Sequence, residues 1–184
     1  MRLRRSIIRF LVVVAVVAAI PAPALARSAP ENAFPNSARQ PSFHRSQSSG
    51  APLGSLRVPA IGIDETVRSG VAPSVINLGV AHWAGTAMPG QNGNVVLAGH
   101  RTTYTRPFYD LDRLRPGDLV FMKVGEGLEF MYKVSEVTIV DPDDLWITYD
   151  RDRPMLTMFA CHPKGSDRYR IVVTADLVAG RWIS

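Results

Sequence analysis

The chain has 184 residues, 46% of them apolar and 20% charged, with a formal net charge of +5. Four of its 21 basic residues and none of its 16 acidic ones lie in residues 1–26, so 17 against 16 remain beyond them, a net charge near +1. No concentrated basic face is left, which excludes nucleic acid as a partner class, and a single cysteine, Cys161, excludes an intramolecular disulfide.

The first segment reads as an export leader. Arg2, Arg4 and Arg5 precede an apolar stretch over 10–20, Pro21 and Pro23 break it, and Ala24-Leu25-Ala26 supplies a small-x-small cleavage pattern. The uninterrupted run is short for a membrane span, yet counting Ile7 and Ile8 and tolerating Arg9 lengthens it. Residues 1–26 are therefore either a cleaved signal peptide or a membrane anchor. In the first case the protein is secreted; in the second it stays membrane-associated, on the extracytoplasmic side. Residues 27–54 read as a tether. Up to Gly50 they are rich in Ser, Ala, Pro, Asn and Gln, with Phe34 and Phe43 as the only large apolar side chains. Such a segment cannot bury enough surface to offset chain entropy. His44, inside it, reads as solvated.

Residues 55–184 are long enough for one domain, and their punctuation is β-like. Strands are expected at 55–63 and 66–71 around a Gly62-Ile63-Asp64 turn, and a short helix at 73–78. Residues 89–93, Pro-Gly-Gln-Asn-Gly, form a dense turn signal ahead of a strand at 94–98. A second short helical segment is expected at 108–114. Pro116-Gly117-Asp118 opens a strand at 119–124, and Gly125-Glu126-Gly127 turns it into a long one. There Leu128, Phe130, Tyr132 and Val134 alternate with polar or flexible residues, and the phase then shifts, which predicts a bulge near Ser135-Glu136. Many short strands with frequent turns predict a closed barrel or sandwich.

Two runs carry chemistry at their ends. Residues 155–160 are nearly continuously apolar, as a strand buried on both faces would be, and end in Cys161; residues 95–99 are similar and end in His100. If the two strands run the same way, His100 and Cys161 emerge at one rim. A polar turn at 162–169 leads into a strand at 171–177, so a hairpin would set Arg170 opposite Cys161, with Arg168 a weaker candidate of the same parity. An unpaired thiol in an oxidising compartment is either a small buried hydrophobe or a nucleophile. Taken singly, His100 also reads as a turn histidine bonded to backbone, and Arg170 as a surface ion-pair partner. Together with an exported thiol they make a set for acyl transfer: thiolate, proton donor and oxyanion partner.

The domain from about Leu56 to Val178 resembles bacterial sortases, most closely the actinobacterial class E type. The resemblance is carried by Leu56-Arg57-Val58-Pro59-Ala60-Ile61-Gly62-Ile63, by residues 82–90 starting His82-Trp83-Ala84-Gly85-Thr86, and by Gly93-Asn94-Val95-Val96-Leu97-Ala98-Gly99-His100-Arg101-Thr102-Thr103. Pro107-Phe108, Leu114-Arg115-Pro116-Gly117-Asp118 and Arg170-Ile171-Val172-Val173-Thr174-Ala175-Asp176-Leu177 complete it. It implies an eight-stranded sortase-type β-barrel with catalytic His100, Cys161 and Arg170 and no metal or organic cofactor. It also implies cleavage of a Leu-x-x-Thr-Gly-like sorting signal on surface proteins through a thioacyl-enzyme. The acceptor would be an amine of a peptidoglycan precursor or pilin.

The family's Thr-Leu-x-Thr-Cys reads here Thr157-Met158-Phe159-Ala160-Cys161. Met158 conserves volume, whereas Ala160 removes a hydroxyl beside the nucleophile, with an expected effect on rate or pocket shape. His162 is a rival base, ranked below His100 because neighbours on an extended chain face opposite ways. Asp141, Asp143 and Asp144 read as turn residues rather than a calcium site. Two other functions stay open: a cysteine hydrolase of cell-wall peptides, with water as acceptor, and a non-catalytic surface module keeping only the barrel.

Overall fold

Short runs of apolar residues cut by Gly and Pro satisfy their backbone groups by pairing with one another, and a closed ring of strands leaves no edge. The computed structural model describes residues 49–125 and 127–182. The expected leader, and the tether up to residue 48, lie outside the described residues. Eight strands form the barrel: β1 (Pro52–Val58), β2 (Ile63–Ser69), β3 (Val80–His82), β4 (Asn94–Ala98), β5 (Leu119–Val124), β6 (Leu128–Val140), β7 (Met155–His162) and β8 (Tyr169–Trp182). They close in the order β1-β2-β3-β4-β7-β8-β6-β5, with β5 returning to β1. The pairs β2–β3 and β4–β7 are parallel, and the others are antiparallel. Among the described residues the one α-helix, α1 (Pro73–Ile76), is a single turn.

The departures from the sequence reading have local causes. The strand expected at 55–63 stops at Val58, because Pro59 opens a 3-10 turn and Gly62, at φ 69°, turns the chain into β2. The same strand starts earlier than expected: residues 52–54 belong to β1, where Gly54 pairs with Val67 on one side and Val124 on the other. The helical segment expected at 108–114 is one 3-10 turn, Leu111–Arg113, because Phe108, Leu111 and Leu114 are drawn into the barrel core. The last strand runs on to Trp182, since Leu128 at the start of β6 pairs with it. The bulge expected near residues 135–136 falls between Val134 and Glu136, with a second irregularity between Met131 and Tyr132.

Alternation sorts the barrel into two faces. Val95 and Leu97 of β4, Leu156, Met158 and Ala160 of β7, and Ile171 and Val173 of β8 belong to the interior cluster. Their neighbours therefore face outward: Asn94, Val96 and Ala98, then Thr157, Phe159 and Cys161, then Arg170 and Val172. On that outer face Phe159 packs against Val140, Ile147 and Val172.

His82 ends β3 and is only 5% exposed. Its Nε2 lies 3.0 Å from the Ala87 carbonyl and 3.1 Å from the Thr86 hydroxyl, which itself donates to the Trp83 carbonyl at 2.7 Å. The hydroxyl proton is thus spent on Trp83, so Nε2 carries the imidazole proton and donates. Burial pushes the His82 pKa below its usual 6.5, and the bond to Ala87 opposes this. On acidification the unfolded chain takes up this proton first, so the stability that neutral His82 contributes is present above pH 6.5 and lost as pH falls below it. Urea unfolding of the wild type is expected to lose midpoint between pH 7.5 and 5.5 by more than the His82→Gln variant does; equal losses would contradict this.

Candidate active site

The two ends that matter are brought together by one ladder. β4 and β7 pair in parallel from Asn94↔Met155 to Ala98↔Phe159, and the Gly99 N–H donates to the Phe159 carbonyl at 3.3 Å. His100 and Cys161 each lie two residues beyond the Ala98↔Phe159 pair, so the two sit at the same level, His100 just past the end of β4 and Cys161 still in β7. On the other side of β7, Cys161 pairs directly with Arg170 of β8. Opposed residues of an antiparallel pair share a face. The three residues singled out from the sequence therefore meet at one rim. Cys161 is half-buried, His100 and Arg170 likewise.

His100 has two neighbours that the sequence did not mark. Its Nε2 lies 2.8 Å from Oδ1 of Asn77, the residue capping the end of α1. An amide oxygen accepts, so Nε2 carries the proton and Nδ1 is left as the basic nitrogen. The ring of Tyr104 lies against the imidazole, with centroids 4.7 Å apart and planes inclined by 31°. Tyr104 and Arg106 hold φ of 53° and 52°, a left-handed conformation that costs a non-glycine residue and concentrates at functional loops. Burial lowers the His100 pKa from its usual 6.5. The helical segment around Asn77 offers no chemical pattern; only the fold makes it a partner of His100.

Arg170 is folded onto the preceding turn. Its Nη1 donates to the carbonyls of Asp167 at 2.7 Å and Tyr169 at 3.0 Å, while Nε and Nη2 carry three further donors. Arg168 sits outside the strand, exposed, with its guanidinium 5.2 Å from the Tyr169 ring centre. His162 pairs with Tyr169 and has the opposite parity to Cys161, so it leaves the outward face to His100. Position 160 also points inward: Ala160 is 3% exposed and Met158 fully buried, both in the barrel interior. The two departures from the family pattern thus lie in the barrel interior, on the face of β7 turned away from the Cys161 side chain. The Asp141–Asp144 segment is a turn, in which Asp144 Oδ2 accepts from the Asp141 N–H at 3.0 Å.

Arg101, next to His100, is a third residue not singled out. It is 2% exposed; Nε donates to the Tyr109 carbonyl at 2.7 Å, and Nη2 forms an ion pair with Asp112 at 2.9 Å. Nη1 makes a long contact of 3.5 Å with the carbonyl of Cys161. Lys164, from the turn between β7 and β8, meets Asp110 at 3.2 Å, Asp112 at 3.6 Å and the face of Tyr109 at 3.9 Å. The loop after His100 and the turn after Cys161 are held to each other by these charges. Asp112 is kept below its usual carboxylate range: burial alone would raise its pKa, and Arg101 and Lys164 outweigh it.

Comparison with known proteins shows the family and the fold. A sortase domain model matches residues 56–178. Sortase D of Bacillus subtilis is 31% identical over 115 residues, covering 62% of this chain and 56% of its own. Sortase SrtE1 of Streptomyces coelicolor is 29% identical over 142 residues, covering 68% and 40%. The chain thus spans about half the length of these curated relatives. The solved structure of sortase E from Streptomyces avermitilis superposes with a TM-score of 0.67 at 31% identity, over 74% of this chain and 93% of that one. The likeness to class E read from the motifs agrees with this. With the domain matched over most of its length and the barrel shared, the chain belongs to the sortase family.

Proposed function

We propose that this protein is a cysteine transpeptidase that cuts a Leu-x-x-Thr-Gly-like sorting signal between Thr and Gly and passes the acyl part to an amine. The observation that carries the reading is the direct pairing of Cys161 with Arg170 at the rim His100 also reaches, in a sortase domain. The Cys161 thiolate attacks the threonine carbonyl carbon, and the displaced π pair becomes an oxyanion that Arg170 N–H groups stabilise. Collapse expels the glycine nitrogen, which takes its proton from the His100 imidazolium and leaves a thioester. An incoming amine attacks that thioester, gives a proton to neutral His100, and Cys161 departs as thiolate. One amide bond is broken and one formed without redox change, so the chemistry calls for no cofactor.

The donors would be surface proteins with C-terminal sorting signals, and the acceptor a peptidoglycan precursor or pilin amine, on the outer side of the membrane. The lowered pKa of His100 makes its imidazolium a minority form near neutral pH, which fits a slow enzyme.

The full chain, incubated with a fluorogenic Leu-Ala-x-Thr-Gly peptide, is expected to cleave between Thr and Gly and to give an amine-linked product when an amine is added. Cys161→Ala should abolish this. His100→Ala should cost roughly 10²–10⁴-fold and Arg170→Ala about 10²–10³-fold, with circular dichroism unchanged. Cleavage indifferent to the amine would indicate a hydrolase. Silence across several motifs, with Cys161 inert to an alkylating probe, would indicate a non-catalytic module.

The histidine can be read separately. The acid limb of the kcat/KM profile is expected below pH 6.5, following the His100 titration seen by NMR. Asn77→Asp places a carboxylate against Nε2, favours the imidazolium and should move both upward. A limb that ignores this change would remove His100 as the group it reports.

A further inference from the structure

Asn94, the first residue of β4, is 2% exposed, and both its side-chain N–H donors and its amide oxygen are hydrogen-bonded. Oδ1 accepts from the Thr157 hydroxyl at 2.9 Å, and Nδ2 donates to the carbonyls of Ile147 at 3.0 Å and Tyr149 at 3.2 Å. Its backbone N–H donates to Asp150 Oδ1 at 3.0 Å. Gly93 adds two backbone bonds, from its N–H to the Arg153 carbonyl at 3.2 Å and to its carbonyl from the Met155 N–H at 2.9 Å. Every one of these except the Thr157 and Met155 bonds lands on the loop between β6 and β7, residues 141–154.

That loop borders the face on which Cys161 lies. Its 3-10 turn, Leu145–Thr148, ends in carbonyls that a short helix leaves unpaired, and the Asn94 amide reaches the Ile147 carbonyl and that of Tyr149 just beyond. Ile147 is pressed onto Val140, Val172 and Phe159, the outward neighbours of Arg170 and Cys161. Leu145, Trp146 and Tyr149 stay 58%, 39% and 60% exposed, an apolar wall beside that patch. A loop with so much apolar surface turned outward is not fixed by its own burial. Three of its ties run from Asn94, and beside the Gly93 bond it has a bond from the Leu177 N–H to the Pro154 carbonyl and an exposed Arg153–Asp176 ion pair.

We propose that Asn94 is a positioning residue for the acyl-donor peptide: it touches no substrate but holds the 141–154 loop as the wall of the groove leading to Cys161. The inference rests on the transpeptidase reading of that groove. It assigns Asn94 to donor binding, not to the chemical steps, which belong to the opposite end of β4.

The test uses the full chain with Asn94→Ser, which deletes the two N–H donors, and Thr157→Val, an isosteric change that removes only the hydroxyl orienting the amide. KM for the Leu-Ala-x-Thr-Gly peptide is expected to rise about fivefold or more in Asn94→Ser, and by less in Thr157→Val. In both, kcat per alkylatable Cys161 and KM for the amine should stay within about twofold. Hydrogen exchange of amides 145–150 should quicken roughly tenfold while β8 keeps its protection. Unchanged KM and unchanged loop exchange in folded variants overturn the proposal, as does a loss confined to kcat. If Asn94→Ser does not fold, Thr157→Val decides alone. Should the wild type turn over no peptide, the transpeptidase reading fails by itself, and the exchange data still decide whether Asn94 holds the wall.

Discussion

The parallel pairing of β4 with β7 is the constraint from which the rest of the site follows. Parallel neighbours need a long crossover, and here residues 99–154 supply it, winding through β5 and β6 before returning. Both strands are covered on both faces, which is why they read as continuous apolar runs rather than alternating ones. Their register decides the chemistry. A slip of one residue would turn Cys161 into the barrel and Ala160 outward. Against such a slip stands the interior apolar set of β4 and β7, which it would turn outward, and the buried bond from the Thr157 hydroxyl to Asn94 ties the same two strands. Breaking it would leave buried donors and acceptors unpaired, at about 1–3 kcal/mol each, a large share of a typical domain's stability.

The two faces of β7 then divide the work. The inner face is ordinary core, and the differences from the family's Thr-Leu-x-Thr-Cys sit there, where Met158 and Ala160 pack against apolar neighbours. Loss of a hydroxyl at an interior position removes a polar group that would otherwise need a partner. The outer face carries Thr157, Phe159 and Cys161 and is where the loops converge. A sequence that departs on the inner face and keeps its outer residues has changed how the barrel is filled, not what its rim presents.

How much was legible in the residues follows the same division. The strands at 94–98 and 119–124 were readable to the residue because composition, turn signals and burial agree there. The three-residue β3 was not, since a stretch that short has no period and exists only because β2 and β4 pair with it. The extension of β8 to Trp182 has no local signal either; it follows from the length of its partner β6. For the site, Cys161, His100 and Arg170 could be placed from strand ends and one hairpin. Asn77, Tyr104, Arg101 and Asn94 could not, because what they do depends on contacts across segments far apart in the chain. Arg101 and Asn94 stood inside a recognised motif, but a motif marks positions without saying what each side chain reaches.

Those last two residues bracket β4 and explain why so short a strand can organise a whole rim. At its start, the neutral Asn94 amide spans β7 and the 141–154 loop. Just past its end, the Arg101 guanidinium spans the loop around Tyr109 and Asp112 and approaches the carbonyl of Cys161. A buried guanidinium is costly unless it is compensated. Here the Tyr109 carbonyl takes Nε, Asp112 offsets the charge as an ion pair without a well-aligned hydrogen bond, and the Cys161 carbonyl stays at a long 3.5 Å. Removing the charge would strand Asp112 beside Lys164 alone and cut the tie between the residue next to His100 and the segment at 109–112. The ladder itself stops at the bond from Gly99 to Phe159, one residue short of the histidine. Beyond that point the sheet no longer holds His100 level with Cys161; a backbone bond from the Phe108 N–H to the His100 carbonyl at 3.2 Å takes over, together with the side chains of Asn77, Tyr104 and Arg101.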